Sequence, residues 1–175
     1  MKDKPERIAL GGGCFWCTEA VLDNVKGVIK VTPGYAGGTT VNPRYEDVCN
    51  GNTGHAEVVL VEYDPGQVSL EDLLDVFFAM HDPTSLNRQG NDTGTQYRSI
   101  VLYDSERQKA RIDNFMDEIS RNHDKPVVTE VKPLDSFYPA EEYHRRYYEK
   151  DPRQPYCQIV ISPKVEKIRK KLGRT

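Results

Sequence analysis

Apolar and polar positions alternate in short runs separated by longer helical stripes. RIALGGG, from Arg7 to Gly13, reads as a short buried strand running into a glycine-rich turn. CFWCTEAVLDNV then places Phe15, Ala20, Val21 and Val25 at helical spacing. GVIKVTPGYAGG returns as a strand with Val28 and Val31 apolar, and Pro33-Gly34 is expected to close it. HAEVVLVEYDP is β-branched and the strongest strand signal in the chain, stopped by Asp64-Pro65. SLEDLLDVFFAMHDP predicts a capped helix, with Ser69 as cap, Glu71 and Asp72 in the first turn and Asp82-Pro83 at the end.

The polar stretch TSLNRQGNDTGT has two glycines and no periodicity, and a loop of that length in a small domain points to function or disorder. QYRSIVLYD predicts a strand, and SERQKARIDNFMDEIS a charged helix with one apolar stripe of Ala110, Ile112, Phe115 and Ile119. PVVTEVKP reads as an edge strand bounded by prolines. PAEEYHRRYYEK predicts a last helix starting at Pro139. Two β-α-β units followed by α-β and a C-terminal helix predict an α+β fold. The expected form is a two-layer split-βαβ (ferredoxin-like) sandwich with long loops. No repeat or linker divides residues 1–175, so one catalytic domain is expected.

The composition adds exclusions. With 175 residues, 37% hydrophobic and 29% charged, the chain can bury a core without disulfides. A net charge of −3 gives no electrostatic case for nucleic acid or an anionic membrane. The basic end KVEKIRKKLGRT is expected as a solvated helix or tail. No apolar run is long enough to span a membrane, and MKDKPERIAL does not read as a secretory signal. A cytoplasmic location and a monomer are the default expectations, with Cys14, Cys17, Cys49 and Cys157 as thiols.

GGGCFWC concentrates the candidate chemistry. Cys14 falls where the turn hands over to the helix, and a helix N-terminus lowers a thiol pKa. The glycines would let the chain bend and a substrate approach. A buried, inert thiol in a tight turn fits the same residues equally well. Phe15 and Trp16 point about 100° apart on a helix, so one or both can line a pocket, Trp16 more readily than Phe15. Cys17 completes a C-x-x-C. No ligand pair with finger spacing accompanies it, so no metal is expected. Glu57 opens the most apolar strand. Facing inward it would be a raised-pKa proton donor, although the pattern alone favours an outward side chain. GGGCFW lacks the features of a nucleotide-binding loop.

Taken together, GGGCFWC, YEDVCNGNTGHAEVV, NDTGTQYRS and PAEEYHRRYY resemble the A-type peptide methionine sulfoxide reductases, over about Ile8 to Pro163. The resemblance implies reduction of methionine S-sulfoxide, free or in proteins. Cys14 would be the nucleophile and Glu57 the proton donor. Tyr45 and Tyr97 would bond the sulfoxide oxygen, Asp92 would orient the site, and Phe15 and Trp16 would hold the methyl group. It further implies a Cys14 sulfenic acid, cleared by a second thiol to a disulfide that thioredoxin or a similar dithiol protein reduces, with no bound cofactor. Cys17, one turn away, and Cys157, in the tail, are both candidates for that second thiol. Cys17 needs no rearrangement of the tail, although a helical C-x-x-C is hard to close without unwinding. Cys49 is expected to be buried and silent, His144 to be a hydrogen-bond partner and His55 to fix the strand entry. A thioredoxin-like oxidoreductase using only Cys14 and Cys17 would leave Glu57, Tyr45 and Tyr97 without a role. A non-enzymatic methionine-binding module would keep binding without Cys14.

Overall fold

The computed structural model describes residues 4–172, so the last three residues of the basic end lie outside the described residues. The chain forms β1 (Glu6–Gly11), α1 (Phe15–Leu22), β2 (Val28–Ala36), α2 (Tyr45–Cys49), β3 (Ala56–Tyr63) and α3 (Leu70–Met80). A two-residue ribbon of β4 (Arg88–Gln89) and β5 (Asp92–Thr93) follows, then β6 (Ile100–Tyr103) and α4 (Glu106–Arg121). The chain continues through β7 (Glu130–Pro133), β8 (Phe137–Pro139), α5 (Tyr147–Lys150), a π-helical turn (Cys157–Ile161) and α6 (Ser162–Lys171). The main sheet has the order β7-β6-β1-β3-β2-β8. All its neighbours are antiparallel except β6 and β7, and β3 lies between β1 and β2.

Strand alternation sorts the core. Ile8, Leu10, Val59, Val61 and Tyr63 join Leu73, Leu74 and Phe77 of α3 and the apolar residues of α1 and α6 in the main core. The intervening Ala9, Val58, Ile100 and Leu102 form a smaller core on the other face, against Leu134 and Phe137. Both faces of the central strands are therefore covered, which explains why β3 reads as an almost unbroken apolar run. Ser69 caps α3 by accepting the Asp72 N–H at 3.0 Å.

Several expectations are corrected. Pro33 and Gly34 do not end β2, which runs on to Ala36. The Pro33 carbonyl turns towards β8 and accepts the Ala140 N–H at 2.9 Å, so its missing N–H costs the β3 ladder nothing. No helix starts at Pro139, because that residue is the end of β8, paired with Gly34. A 3-10 turn (Glu142–His144) follows, and Arg146 at φ 52° separates it from α5. On α4, Ala110 is exposed, and the buried stripe is Gln108, Ile112, Phe115, Met116 and Ile119. The basic end forms α6, which buries Val165 and Ile168. Cys49 is exposed at the end of α2.

The connection from β2 to α2 is tied to the start of β3. The Gly38 N–H donates to His55 Nδ1 at 3.0 Å, and His55 Nε2 donates to the Thr40 carbonyl at 2.7 Å. A Cβ on Gly38 would lie 2.3 Å from the His55 nitrogen and 2.5 Å from the Thr53 carbonyl oxygen, both backbone atoms. Gly38→Ala is therefore expected to lower unfolding free energy by roughly 1–3 kcal/mol, read from urea denaturation midpoints.

Candidate active site

The end of β1 delivers the chain into the first turn of α1 through Gly11, Gly12 and Gly13. Gly13 has φ +84°, which favours glycine, and its N–H donates to the Tyr97 carbonyl at 3.0 Å. A Cβ on Gly12 would meet the His81 ring at 2.6 Å. The glycines thus make room for the protein's own interior, where the sequence suggested room for a substrate. His81 is itself fixed, its Nδ1–H donating to the Phe77 carbonyl at 2.6 Å and its Nε2 facing Ser99 Oγ at 2.8 Å.

Cys14 occupies the N-cap position of α1 with an extended backbone. The orphan N–H of Phe15 is satisfied from β3, donating to Glu57 Oε1 at 3.2 Å. Glu57 is 1% exposed, so its side chain points inward and not, as the alternation alone favours, to solvent. Burial pushes the Glu57 carboxyl up to about 8, with a smaller push from Asp92, while the Phe15 N–H opposes the shift. At neutral pH the group carries a proton it can give.

The Cys14 thiol differs from the expectation that a helix N-terminus lowers it. Burial dominates and drives it well above the usual range; Glu57 and Cys17 add to the rise, and hydrogen bonds from Trp16 N–H and Tyr156 oppose it. The sulfur belongs to a side chain only 8% exposed, so the dipole does not compensate for lost hydration. Cys17 is also buried and raised by burial, offset by Lys164 and the Tyr156 hydroxyl, which lies 4.0 Å from its sulfur. Cys157, next to Tyr156 in sequence, is fully buried. All four cysteines are free thiols.

An aromatic wall surrounds this turn. Phe15 is buried, while Trp16 is partly exposed and stacks on Tyr147 at 3.8 Å with 7° between planes. Tyr156 meets the indole edge-on at 5.7 Å. Trp16 Nε1–H donates to His144 Nδ1 at 3.1 Å, which leaves the His144 proton on Nε2, buried and without a protein partner. The His144 ring lies 4.5 Å from the ring of Tyr45 and 5.1 Å from that of Phe15. Tyr45 opens α2, where its N–H donates to Glu141 Oε2 at 3.1 Å; Glu141 Oε1 accepts the Tyr35 hydroxyl at 3.0 Å. Burial raises the phenols of Tyr45 and Tyr97, and the Glu57 carboxylate pushes both further. Asp92 Oδ2 accepts the Tyr156 hydroxyl at 3.0 Å.

The sequence-derived set is therefore gathered at one place: Cys14 and Glu57 share the turn, Trp16 and Phe15 flank it, and Tyr45, Tyr97 and Asp92 approach from three separate segments. Sequence reasoning passed over Tyr156, Tyr147, Glu141 and His81. The density of tyrosines from Tyr143 to Tyr156 was the available signal for the first two. Among the described residues, no group of three His, Cys, Asp or Glu side chains is arranged to hold a metal ion.

Residues 6–175 match the family model described as peptide methionine sulfoxide reductase. Peptide methionine sulfoxide reductase MsrA of Saccharolobus solfataricus is 56% identical over 165 residues, covering 94% of this chain and 93% of that protein. The reduced form of Mxr1 from Saccharomyces cerevisiae superposes with a TM-score of 0.84 at 35% identity, over 90% of this chain and 92% of that one. Mxr1 in complex with Trx2 superposes with a TM-score of 0.60 at 28% identity, over 84% of this chain and 88% of that one. Identity of this extent along nearly the whole chain means that it is an enzyme and belongs to the peptide methionine sulfoxide reductase family, MsrA class.

Proposed function

We propose that this chain reduces the S epimer of methionine sulfoxide through a Cys14 sulfenic acid. The buried, proton-bearing Glu57 at the Cys14 turn is the observation that carries this reading. A sulfoxide sulfur is a poor electrophile until its oxygen is protonated or strongly hydrogen-bonded. Glu57 passes its proton to that oxygen, with Tyr45 and Tyr97 donating beside it, and takes up the Cys14 proton as the sulfur attacks. The Cys14 sulfur bonds to the substrate sulfur; the hydroxyl then shifts from that sulfur to Cys14 as the S–S bond breaks, leaving Cys14 as S–OH and releasing methionine as the thioether. The positive character that protonation gives the substrate sulfur offsets the desolvation that keeps the resting thiol neutral. Phe15 and Trp16 hold the methyl group, and Asp92, through Tyr156, orients the far side of the site.

Cys17 is the proposed second thiol. Its N–H bonds the Cys14 carbonyl at 3.1 Å, one turn away, whereas Cys157 comes from the π-helical turn before α6. Attack on the sulfenic acid gives a disulfide and water, and a thioredoxin-type dithiol returns both thiols; the Trx2 complex of Mxr1 supports that partner class. We further propose that the scaffold is a single split-βαβ domain acting as a monomer in the cytoplasm. The position of β3 between β1 and β2 supports the topology, and the free thiols support a reducing compartment.

Mixing reduced protein with one equivalent of methionine S-sulfoxide and counting thiols by mass is expected to show one methionine released and two thiols lost. Cys14→Ser is expected to release none. Cys17→Ser is expected to stall at the sulfenic acid; a stall in Cys157→Ser instead would transfer the resolving role. Glu57→Gln is expected to lower kcat/KM by about 10²–10³-fold, measured by methionine release. In the wild type, kcat/KM is expected to fall as pH rises past about 8, where the Glu57 proton is lost.

The same carboxyl affects stability. Its folded pKa of about 8 lies above the ordinary 4.5, so the folded state holds the proton more tightly. The stabilisation is complete below about pH 4.5 and is lost as pH rises towards 8. Urea melts across that window are expected to show falling stability in the wild type and a flatter profile in Glu57→Gln.

A further inference from the structure

Glu19 has no part in the chemistry above, yet it is one of the few buried carboxylates, 5% exposed, on the same helix as Cys17. Its Oε1 accepts a hydrogen bond from the backbone N–H of Arg146 at 2.9 Å. The contact is not an ion pair with that arginine, whose guanidinium turns away to Glu149 at 3.5 Å. Among the described residues Arg146 is one of three non-glycine residues with positive φ, at 52°, and it makes the break that starts α5. No side chain caps that four-residue helix. Hollows of about 320 Å³ and 160 Å³ flank the contact, both lined by Glu19 and Arg146, so packing alone does not seat the chain here. The next residue, Tyr147, is the one stacked on Trp16, and His144, two residues before, accepts the Trp16 N–H.

We propose that Glu19 is a positioning residue: by holding the Arg146 N–H it pins residues 144–147 to α1, so that Tyr147 and His144 fix the Trp16 indole for substrate. The proposal rests on the reading of Trp16 as a wall of the substrate pocket. The left-handed turn at Arg146 is unfavourable for a residue with a Cβ and persists only where surrounding contacts over-determine it. A buried acceptor for its N–H is such a contact. Removing it leaves both a buried donor without a partner and a strained turn without a tether. Trp16 then loses its stacking partner and hydrogen-bond acceptor together. Charged neighbours of the carboxyl are Asp23 at the C-cap of α1, Lys30 on β2, Glu142 and Arg145 before the turn, and Glu149 and Lys150 on α5. Burial, opposed by the Arg146 N–H, pushes the Glu19 carboxyl up to about 7. A neutral amide that keeps the acceptor oxygen is therefore a close substitute.

The test uses the fact that Trp16 is the only tryptophan in the chain, so its fluorescence reports this site alone. Acrylamide quenching and steady-state kinetics with methionine S-sulfoxide would be measured for wild type, Glu19→Ala, Glu19→Gln, Tyr147→Leu and the double variant Glu19→Ala/Tyr147→Leu. Glu19→Ala is expected to raise the quenching constant about twofold and KM about tenfold, with kcat within about threefold. Glu19→Gln is expected to restore both towards wild type. The double variant is expected to be no worse than the more impaired single one, since both changes release the same indole. Wild-type quenching and KM in Glu19→Ala would overturn the proposal. So would a Glu19→Gln variant as impaired as Glu19→Ala, or additive losses in the double variant. If Glu19→Ala does not fold, Glu19→Gln and Tyr147→Leu decide: a Tyr147→Leu variant with unchanged quenching and KM overturns the proposal. Quenching needs no turnover, so failure of the wild type to release methionine would count against the proposed reaction and leave the quenching result standing.

Discussion

The hydrogen bond from the Phe15 N–H to the buried carboxyl of Glu57 is the contact on which the remaining arrangement turns. A helix start needs acceptors for its free N–H groups, and a carboxyl buried beneath a sheet needs donors. Each supplies what the other lacks, and the bond joins β3 to the first turn of α1. It also fixes the distance between the acid and the thiol that precedes that turn. The same desolvation that keeps Glu57 protonated keeps Cys14 protonated, so the resting pair holds two protons and no net charge. In the proposed reaction, chemistry begins only when a polar sulfoxide enters and changes the electrostatics.

The scaffold explains why these groups come from distant parts of the chain. The central strands are covered on both faces, which lets β3 carry a carboxyl that never meets water. The loop after β2 is locked to the start of β3 through Gly38 and His55, which seats α2 and Tyr45. Glu141 then joins α2 to the end of the sheet by accepting from Tyr45 N–H and the Tyr35 hydroxyl. The segment after β8 closes over the Cys14 turn with His144, Tyr147 and Tyr156.

Much of this was legible in the sequence where structure is local. The β-branched run at β3, the Ser69 cap of α3 and the strand-glycine-helix corner at Cys14 follow from residue type, periodicity and turn chemistry. The region from Pro139 to Asp151 was not, because its course depends on partners remote in sequence. YHRRYYEK has good helical composition, but Glu141 is drawn to Tyr35 and Tyr45 and Arg146 to Glu19. The direction of the Cys14 shift was missed for a related reason: the helix-terminus argument is local, while the surroundings of the thiol include Glu57 and Tyr156 arriving from elsewhere. The chemistry-bearing residue types were visible in order; their meeting point needed the fold.

Among the four cysteines Cys49 is the one left exposed, while Cys14 is buried and protonated at rest. Peroxides and alkylating electrophiles consume thiolates that they can reach. An enzyme whose substrate accumulates under those same oxidants would be destroyed by its own working conditions if its nucleophile stood ionised and open. Burial would therefore give the proposed nucleophile a longevity that a conventional activated thiol lacks.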